Sequence, residues 1–489
     1  MNRRAPWTEI LRASLSESCS RLAATGHLDL AGLVGSARLL VPLLLSDQPA
    51  LFVLACEKDV ETAASDLQLL VREAGLPGAV LSFPAPGPPP FRGLPRHTDA
   101  SLRRAAALHA VARGARALVA SPAGLLRPTL PRHLFETRVL ILRAGEEMTP
   151  EILLEALDEG GYRREDPVTA PGQTARRGGI VDVFPPDREA PVRLEFFGDT
   201  VESLRSFDPE TQRTTGTIEA LEAVPLQDLF APRSVLQRLR DILPARFPDR
   251  PELAGLLEKL DRGLAPDEIT ELLPLVPGAT VPVWAHLQDW AVVTLEPEAV
   301  VGEAEALLTR AREERERHPE SLPLTPEDVL VSPEALRQRL TTPPSLRLRE
   351  LDPEARGVRF GARLSQRYAG DIRRLVSDLG TRSGPAVLYL GNPGRAERVK
   401  DMLREDGLAL GEEAGLEVRV GALSRGFELA DPALLVLADG DVFPEEVHLH
   451  PRGRRGGLKS FLSDFRDLRP ATWWSTRTTA LAATWAWRR

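Results

Sequence analysis

The sequence predicts a multidomain α/β protein that carries an inserted α+β unit. Its 489 residues suffice for three or four domains. Short apolar runs alternate with helical patterns over residues 1–130 and again over 384–446. Between them, Arg176 to Thr214 reads as three short strands. At 43% hydrophobic and 27% charged, the composition is that of a soluble globular chain. A net charge of −8 argues against a chain wholly devoted to clamping nucleic acid, while a local basic patch stays open. Cys19 and Cys56 lie far apart, which gives neither a disulfide framework nor a metal site and fits a reducing cytoplasm. The N-terminus has no signal-peptide pattern, and Leu39 to Leu45 is far too short to span a membrane.

In order along the chain, Leu51 to Cys56 reads as a buried strand. Glu57 to Glu73 reads as a helix, with Val60, Ala64, Leu67 and Val71 near one face. A proline-rich loop follows, then a helix from about Ala100 and a strand over Ala115 to Ala120. Thr137 to Leu142 predicts a strand. Thr149-Pro150 starts a helix to Glu159, with threonine as cap and proline in the first position.

The inserted unit carries the clearest pattern. Gly179 to Phe184 alternates and stops at Pro185-Pro186. Val192 to Phe197 meets a strand from Thr200 across Gly198-Asp199, a two-residue hairpin turn. Alternation puts Val192, Leu194 and Phe196 on one apolar face and Arg193, Glu195 and Phe197 on the other. A phenylalanine beside an arginine fits a protein-docking surface; a second packed face, with another element over Phe197, fits the same period.

The run RGGIVDVFP…VRLEFFGDTVESLRSFDPETQR resembles the domain shared by the excision-repair protein UvrB and the transcription-repair coupling factors (Mfd). Its ending is closer to the coupling factors. In both families this domain docks UvrA. The resemblance implies that Arg177, Arg193 and Phe197 contact UvrA, because they stand at the family's contact positions. It also implies the domain plan: 1–130, first half of a degenerate UvrB-like, RecA-like nucleotide fold; 131–213, the docking domain; 214–345, the second half; 346–380, a linker; and 381–465, a small α/β third domain.

A working phosphate loop reads G-x-x-x-x-G-K-[ST], because the lysine reaches the terminal phosphates and the hydroxyl binds magnesium. Gly32 to Leu40 stands in the corresponding place, but Gly35-Ser36 is followed by Ala37-Arg38. No catalytic residue, metal or cofactor is therefore expected here; an ordinary loop without ATPase ancestry predicts the same. The alternative, a UvrB-like DNA-dependent ATPase or helicase module, also needs the aromatic-rich hairpin with which UvrB clamps DNA. The proline-rich loop at that place has no tyrosine, and the chain has only Tyr162, Tyr368 and Tyr389. In full-length coupling factors, ATP, magnesium, RNA polymerase and double-stranded DNA belong to further domains, and a C-terminal domain covers the UvrA-docking face. Without it, that face would stay open.

Helices are expected at Arg233 to Leu243, Pro251 to Leu260, Pro266 to Leu273 and Pro297 to Arg317. The last is charged on one side, with interleaved signs that suit a solvated face. Ala386 to Leu390, Glu417 to Val420 and Leu434 to Ala438 read as strands, and Arg395 to Glu405 as a helix. "NPGR" is of the kind that holds a phosphate on a helix N-terminus, but no chemistry is assigned to it. His448 and His450 lack a third ligand and read as an incidental exposed pair.

Four of the seven tryptophans fall in residues 471–489, which contain no Asp, Glu, Lys or Gly. Back-translated with permitted codons and read one base earlier, that tail gives GDLVVHEDHGIG, which resembles the opening of the polymerase-interaction domain of the coupling factors. The reading is a frameshift near Pro470. A Trp-rich tail that binds a membrane or partner lacks the strong charged face such helices need.

Overall fold

The computed structural model describes residues 5–444, apart from 89, 92–97, 249, 251–252, 267, 319–321 and 353–356. His448, His450, the end of the third domain and the tail over 471–489 lie outside the described residues.

The first four strands are β1 (His27–Ala31), β2 (Ala50–Val53), β3 (Val80–Phe83) and β4 (Ala117–Ala120). The insert supplies β5 (Leu140–Arg143), β6 (Arg163–Arg164), β7 (Gln173–Arg177), β8 (Ile180–Val183), β9 (Val192–Phe197), β10 (Thr200–Phe207), β11 (Thr214–Thr217) and β12 (Ala220–Ala223). Then come β13 (Ala291–Leu295), β14 (Ser345–Arg349) and β15 (Val358–Arg359). The last group is β16 (Ala362–Leu364), β17 (Ala386–Leu390), β18 (Leu416–Val420), β19 (Phe427–Leu429) and β20 (Leu434–Leu437).

Seven strands form one parallel sheet in the order β15-β1-β14-β13-β2-β4-β3. A parallel sheet is covered on both faces, so its strands are continuous apolar runs. Phe52, Val119 and Val293 enter the core on one side, with the helices Ala37–Leu45 and Val60–Glu73. Leu51, Val53, Leu118 and Val292 enter the core on the other, with the helices Thr98–Ala112, Arg233–Arg246 and Pro297–Arg317.

The insert is a six-stranded sheet, β11-β10-β9-β8-β7-β6, beside the antiparallel pair β5–β12. Its inner face packs Val181, Val183, Val192, Leu194, Val201 and Leu204 against Leu153, Leu154 and Leu157. Those leucines lie on the helix Pro150–Glu159, whose N-terminus is capped as expected: the Thr149 hydroxyl accepts from the Ile152 amide at 3.2 Å.

Several expectations need correction. Residues 346–380, read as a linker, instead hold most of β14, all of β15 and β16, and most of the helix Ile372–Thr381. Charge hid the alternation: Leu346 and Leu348 are buried, while Arg347 pairs with Asp29 and Arg349 with Glu298. The inserted fold also runs past 213, because β11 pairs with β10 and β12 with β5. The segment at Thr137 begins as a 3-10 turn, Glu136–Arg138, and the strand starts at Leu140. The helix expected to end at Leu273 is only Ile269–Leu272 followed by a 3-10 turn, Leu273–Leu275, with Pro274 in that turn.

The third domain is a mixed five-stranded sheet, β16-β19-β20-β17-β18. It is not a separate bead. Val387, Tyr389, Phe427 and Val436 belong to the same core cluster as Phe52 and Val293.

A buried ion pair ties the chain before the insert to the chain after it. Arg104 Nε donates to Asp228 Oδ2 at 2.6 Å, and both side chains are fully buried. Three further guanidinium N–H groups reach the carbonyls of Pro84, Gly124 and Arg127. Arg104→Ala would take the buried cation away from the Asp228 carboxylate, and a loss of about 3–5 kcal/mol is expected in urea unfolding.

Candidate functional site

Two tight turns bring the three predicted contact residues onto one face. Arg177 ends β7 and pairs in register with Ile180 across Gly178-Gly179; Phe197 ends β9 and pairs with Thr200 across Gly198-Asp199. Gly178 and Gly198 take φ values of 65° and 61°, which residues with a Cβ rarely adopt. Register places Arg177, Ile180, Glu195 and Ser203 in one row across the sheet, and Ala175, Asp182, Arg193 and Arg205 in the next. A shift in pairing between Val201 and Ser203 keeps Ser203, Arg205 and Phe207 on this outer face.

The outer face is divided. At one end Val168, Ala175, Phe184 and Phe207 form a small packed cluster. At the other, Phe197 stands 81% exposed. The face is thus packed at its Phe207 end and open at its Phe197 end; among the described residues nothing covers Phe197, against the reading that another element lies over it.

Arg193 sits at the junction. Its Nε and Nη2 donate to Asp182 Oδ1 and Oδ2 at 2.7 and 2.8 Å, a two-pronged pair. Its guanidinium carbon lies 4.5 Å from the centre of the Phe207 ring. The hydrogen bonds to the buried Asp182 carboxylate raise the Arg193 pKa, so this cation is held charged and in one orientation. Asp182 and Phe207 are the residues around Arg193 that sequence reasoning missed. Their signal was present, since Asp182 alternates with Ile180 and Phe184 on the outer face.

Arg177 is held more loosely. It pairs with Asp166, and both side chains are about half exposed. Water screens such a pair, so its partner can be exchanged. Beyond it, Glu195 accepts from the Ser203 hydroxyl at 2.8 Å and lies 3.5 Å from Arg205. The face offers fixed and exchangeable guanidinium groups beside an exposed ring, which is the chemistry of protein docking.

The other sequence motifs have less to offer a ligand. Asn392 of NPGR turns its own carboxamide onto the Gly394 amide at 2.7 Å, filling the helix N-terminus. Tyr162, Tyr368 and Tyr389 are all buried. Among the described residues no group of three or more His, Cys, Asp or Glu side chains is placed to hold a metal, and no helix is long and apolar enough to cross a membrane.

Residues 140–229 match the UvrB interaction domain family, which places β8, β9 and β10 inside the matched segment. The chain is 28% identical over 499 residues to the transcription-repair-coupling factor of Myxococcus xanthus, covering 91% of this chain and 40% of that protein. The Escherichia coli K12 factor is 24% identical, over 73% of this chain and 33% of its own length. Over most of its length the chain is thus similar to transcription-repair-coupling factors. A third relative, from Staphylococcus aureus Mu50, is 33% identical over 148 residues, 30% of this chain and 13% of that factor. The chain thus spans well under half the length of these relatives.

The two faces of β9 should respond differently to truncation. Leu194 is fully buried, so Leu194→Ala is expected to cost about 2–5 kcal/mol in urea unfolding. Phe197→Ala should stay within about 0.5 kcal/mol of the unmodified chain.

Proposed function

We propose that this chain acts in transcription-coupled nucleotide excision repair by docking UvrA on the outer face of its inserted sheet, with Arg177, Arg193 and Phe197 as contact residues. The observation that carries this reading is the exposed Phe197 ring on the same strand as the clamped Arg193, within the segment that matches the UvrB interaction domain. An exposed large aromatic is informative in a way that a scattered surface leucine is not. Arg193 brings a cation whose side-chain freedom is already lost, which lowers the entropy cost of association. Phe197 supplies apolar area at the tip of a two-residue turn.

In this reading the activity of the relatives on RNA polymerase, and any ATP- and magnesium-dependent movement along double-stranded DNA, fall to regions of the family beyond the matched span. The contribution of this chain is recruitment. It needs no bound cofactor, since docking by ring and guanidinium groups transfers no atoms.

The test is binding of purified UvrA to the chain and to single variants, by titration calorimetry. Arg193→Ala and Phe197→Ala should each weaken binding about 30-fold, the equivalent of about 2 kcal/mol at an interface hot spot. Arg177→Ala should weaken it less, because Arg177 starts from an exposed, exchangeable pair. Unchanged affinity in both Arg193→Ala and Phe197→Ala, with circular dichroism unaltered, would remove this face from the interface.

A further inference from the structure

The turn after β1 stands where open α/β sheets place their ligands, at the carboxyl end of a parallel strand and before a helix. In a phosphate loop, backbone N–H groups and a hydroxyl donate to phosphate oxygens. Here the donors of Ser36 are already used. The Ser36 amide and hydroxyl both donate to the carbonyl oxygen of Arg425, at 3.2 and 2.7 Å. The glycines of the turn make room for backbone. A Cβ on Gly35 would lie 2.4 Å from the Gly426 carbonyl oxygen, and one on Gly32 would lie 2.3 Å from that of Phe360. The carbonyl oxygens therefore sit where a phosphate loop keeps open space.

Two buried aspartates hold the same short segment from opposite sides. From the first domain, Asp66 Oδ1 accepts from the Ser424 amide at 2.8 Å, and its other oxygen accepts from the Ser424 hydroxyl. From the third domain, Asp441 Oδ2 accepts from the Gly426 amide at 2.9 Å and from the Ser365 hydroxyl at 2.7 Å. Asp66 and Asp441 are 3% and 1% exposed. A cavity of about 320 Å3 remains beside the turn, and Asp59, Asp66 and Glu350 line it together with Arg38 and Arg425. Three carboxylates around so small a space make a poor host for a polyphosphate.

We infer that Ser424–Gly426 is the resident ligand of the phosphate-loop-like turn, and that filling this turn is a function of the third domain. The ligand class of the site is a serine-bearing backbone turn of the same chain, bound through its carbonyl, amide and hydroxyl groups. Burial raises the Asp66 pKa, and the hydrogen bonds from Ser424 and Ser36 and the Arg38 charge work against that rise. Nearby contacts fix the register: Glu73 pairs with Arg419 at 2.7 Å, and the rings of Trp7 and Tyr389 meet edge to face at 6.5 Å.

Hydrogen exchange on the whole chain, read by mass spectrometry, tests the inference. Asp66→Ala should speed exchange about tenfold in peptides covering Gly32 to Leu40 and Leu423 to Leu429, and leave peptides over Val192 to Phe207 unchanged. Unaltered exchange in the first two peptides would overturn it. Should Asp66→Ala not fold, the unmodified chain decides: millimolar magnesium-ADP or pyrophosphate should leave both peptides as they were. Protection of Gly32 to Leu40 with loosening of Leu423 to Leu429 would mean that a phosphate ligand displaces the segment, and the inference would fall.

Discussion

The constraint on which the rest depends is the place of β13 in the parallel sheet. It lies between β14 and β2, so the chain that leaves at β4 must come back into the middle of the same sheet. The stretch between Ala120 and Ala291, the inserted sheet included, is thereby anchored at both ends. Arg104 and Asp228 close the neck, one from each side of the insert, in a position where neither charge can meet water. A domain held by two connections and a buried ion pair keeps its outer face in a defined direction relative to the sheet. That suits a surface meant to be met by another protein.

Within the insert the same economy applies on a smaller scale. Asp182 is buried on the sheet face that carries the arginine, and the Phe207 ring lies under the guanidinium. Arg193 is thus positioned by residues that a binding partner would never touch. Arg177 and Phe197, next to the glycine turns, have no comparable scaffolding and depend on the turns for their direction. One face combines a rigid element with two adaptable ones, and each behaviour follows from how many neighbours the side chain has.

Much of this was legible in the sequence where one signal dominated. The alternation of Val192 to Phe197 and the Gly198-Asp199 turn located the sheet face that carries Arg193 and Phe197, and the Thr149-Pro150 pair located its supporting helix to the residue. β14 was not legible, because its arginines pair with Asp29 and Glu298, far away in sequence, so that an interior strand looked like charged linker. Asp182 could not be recognised as the partner of Arg193 until the register of β8 on β9 was known. The docking of Ser424 to Gly426 on Ser36 was out of reach for the same reason. It joins residues 389 apart through backbone groups, which carry no side-chain signature.

The all-parallel sheet also has a consequence for synthesis. The first strand pairs with β14, and the Asp29–Arg347 contact between them spans 318 residues. On the ribosome β1 has no neighbour until about residue 349 has emerged and lacks its second until about residue 359, and its helices must wait with apolar faces uncovered. The insert is built mostly from adjacent hairpins, and such local pairings form early while distant ones form late. The order of emergence thus favours a nascent chain whose inserted sheet is finished well before the domain that carries it, with the apolar helices of the first domain open to chaperones in the interval.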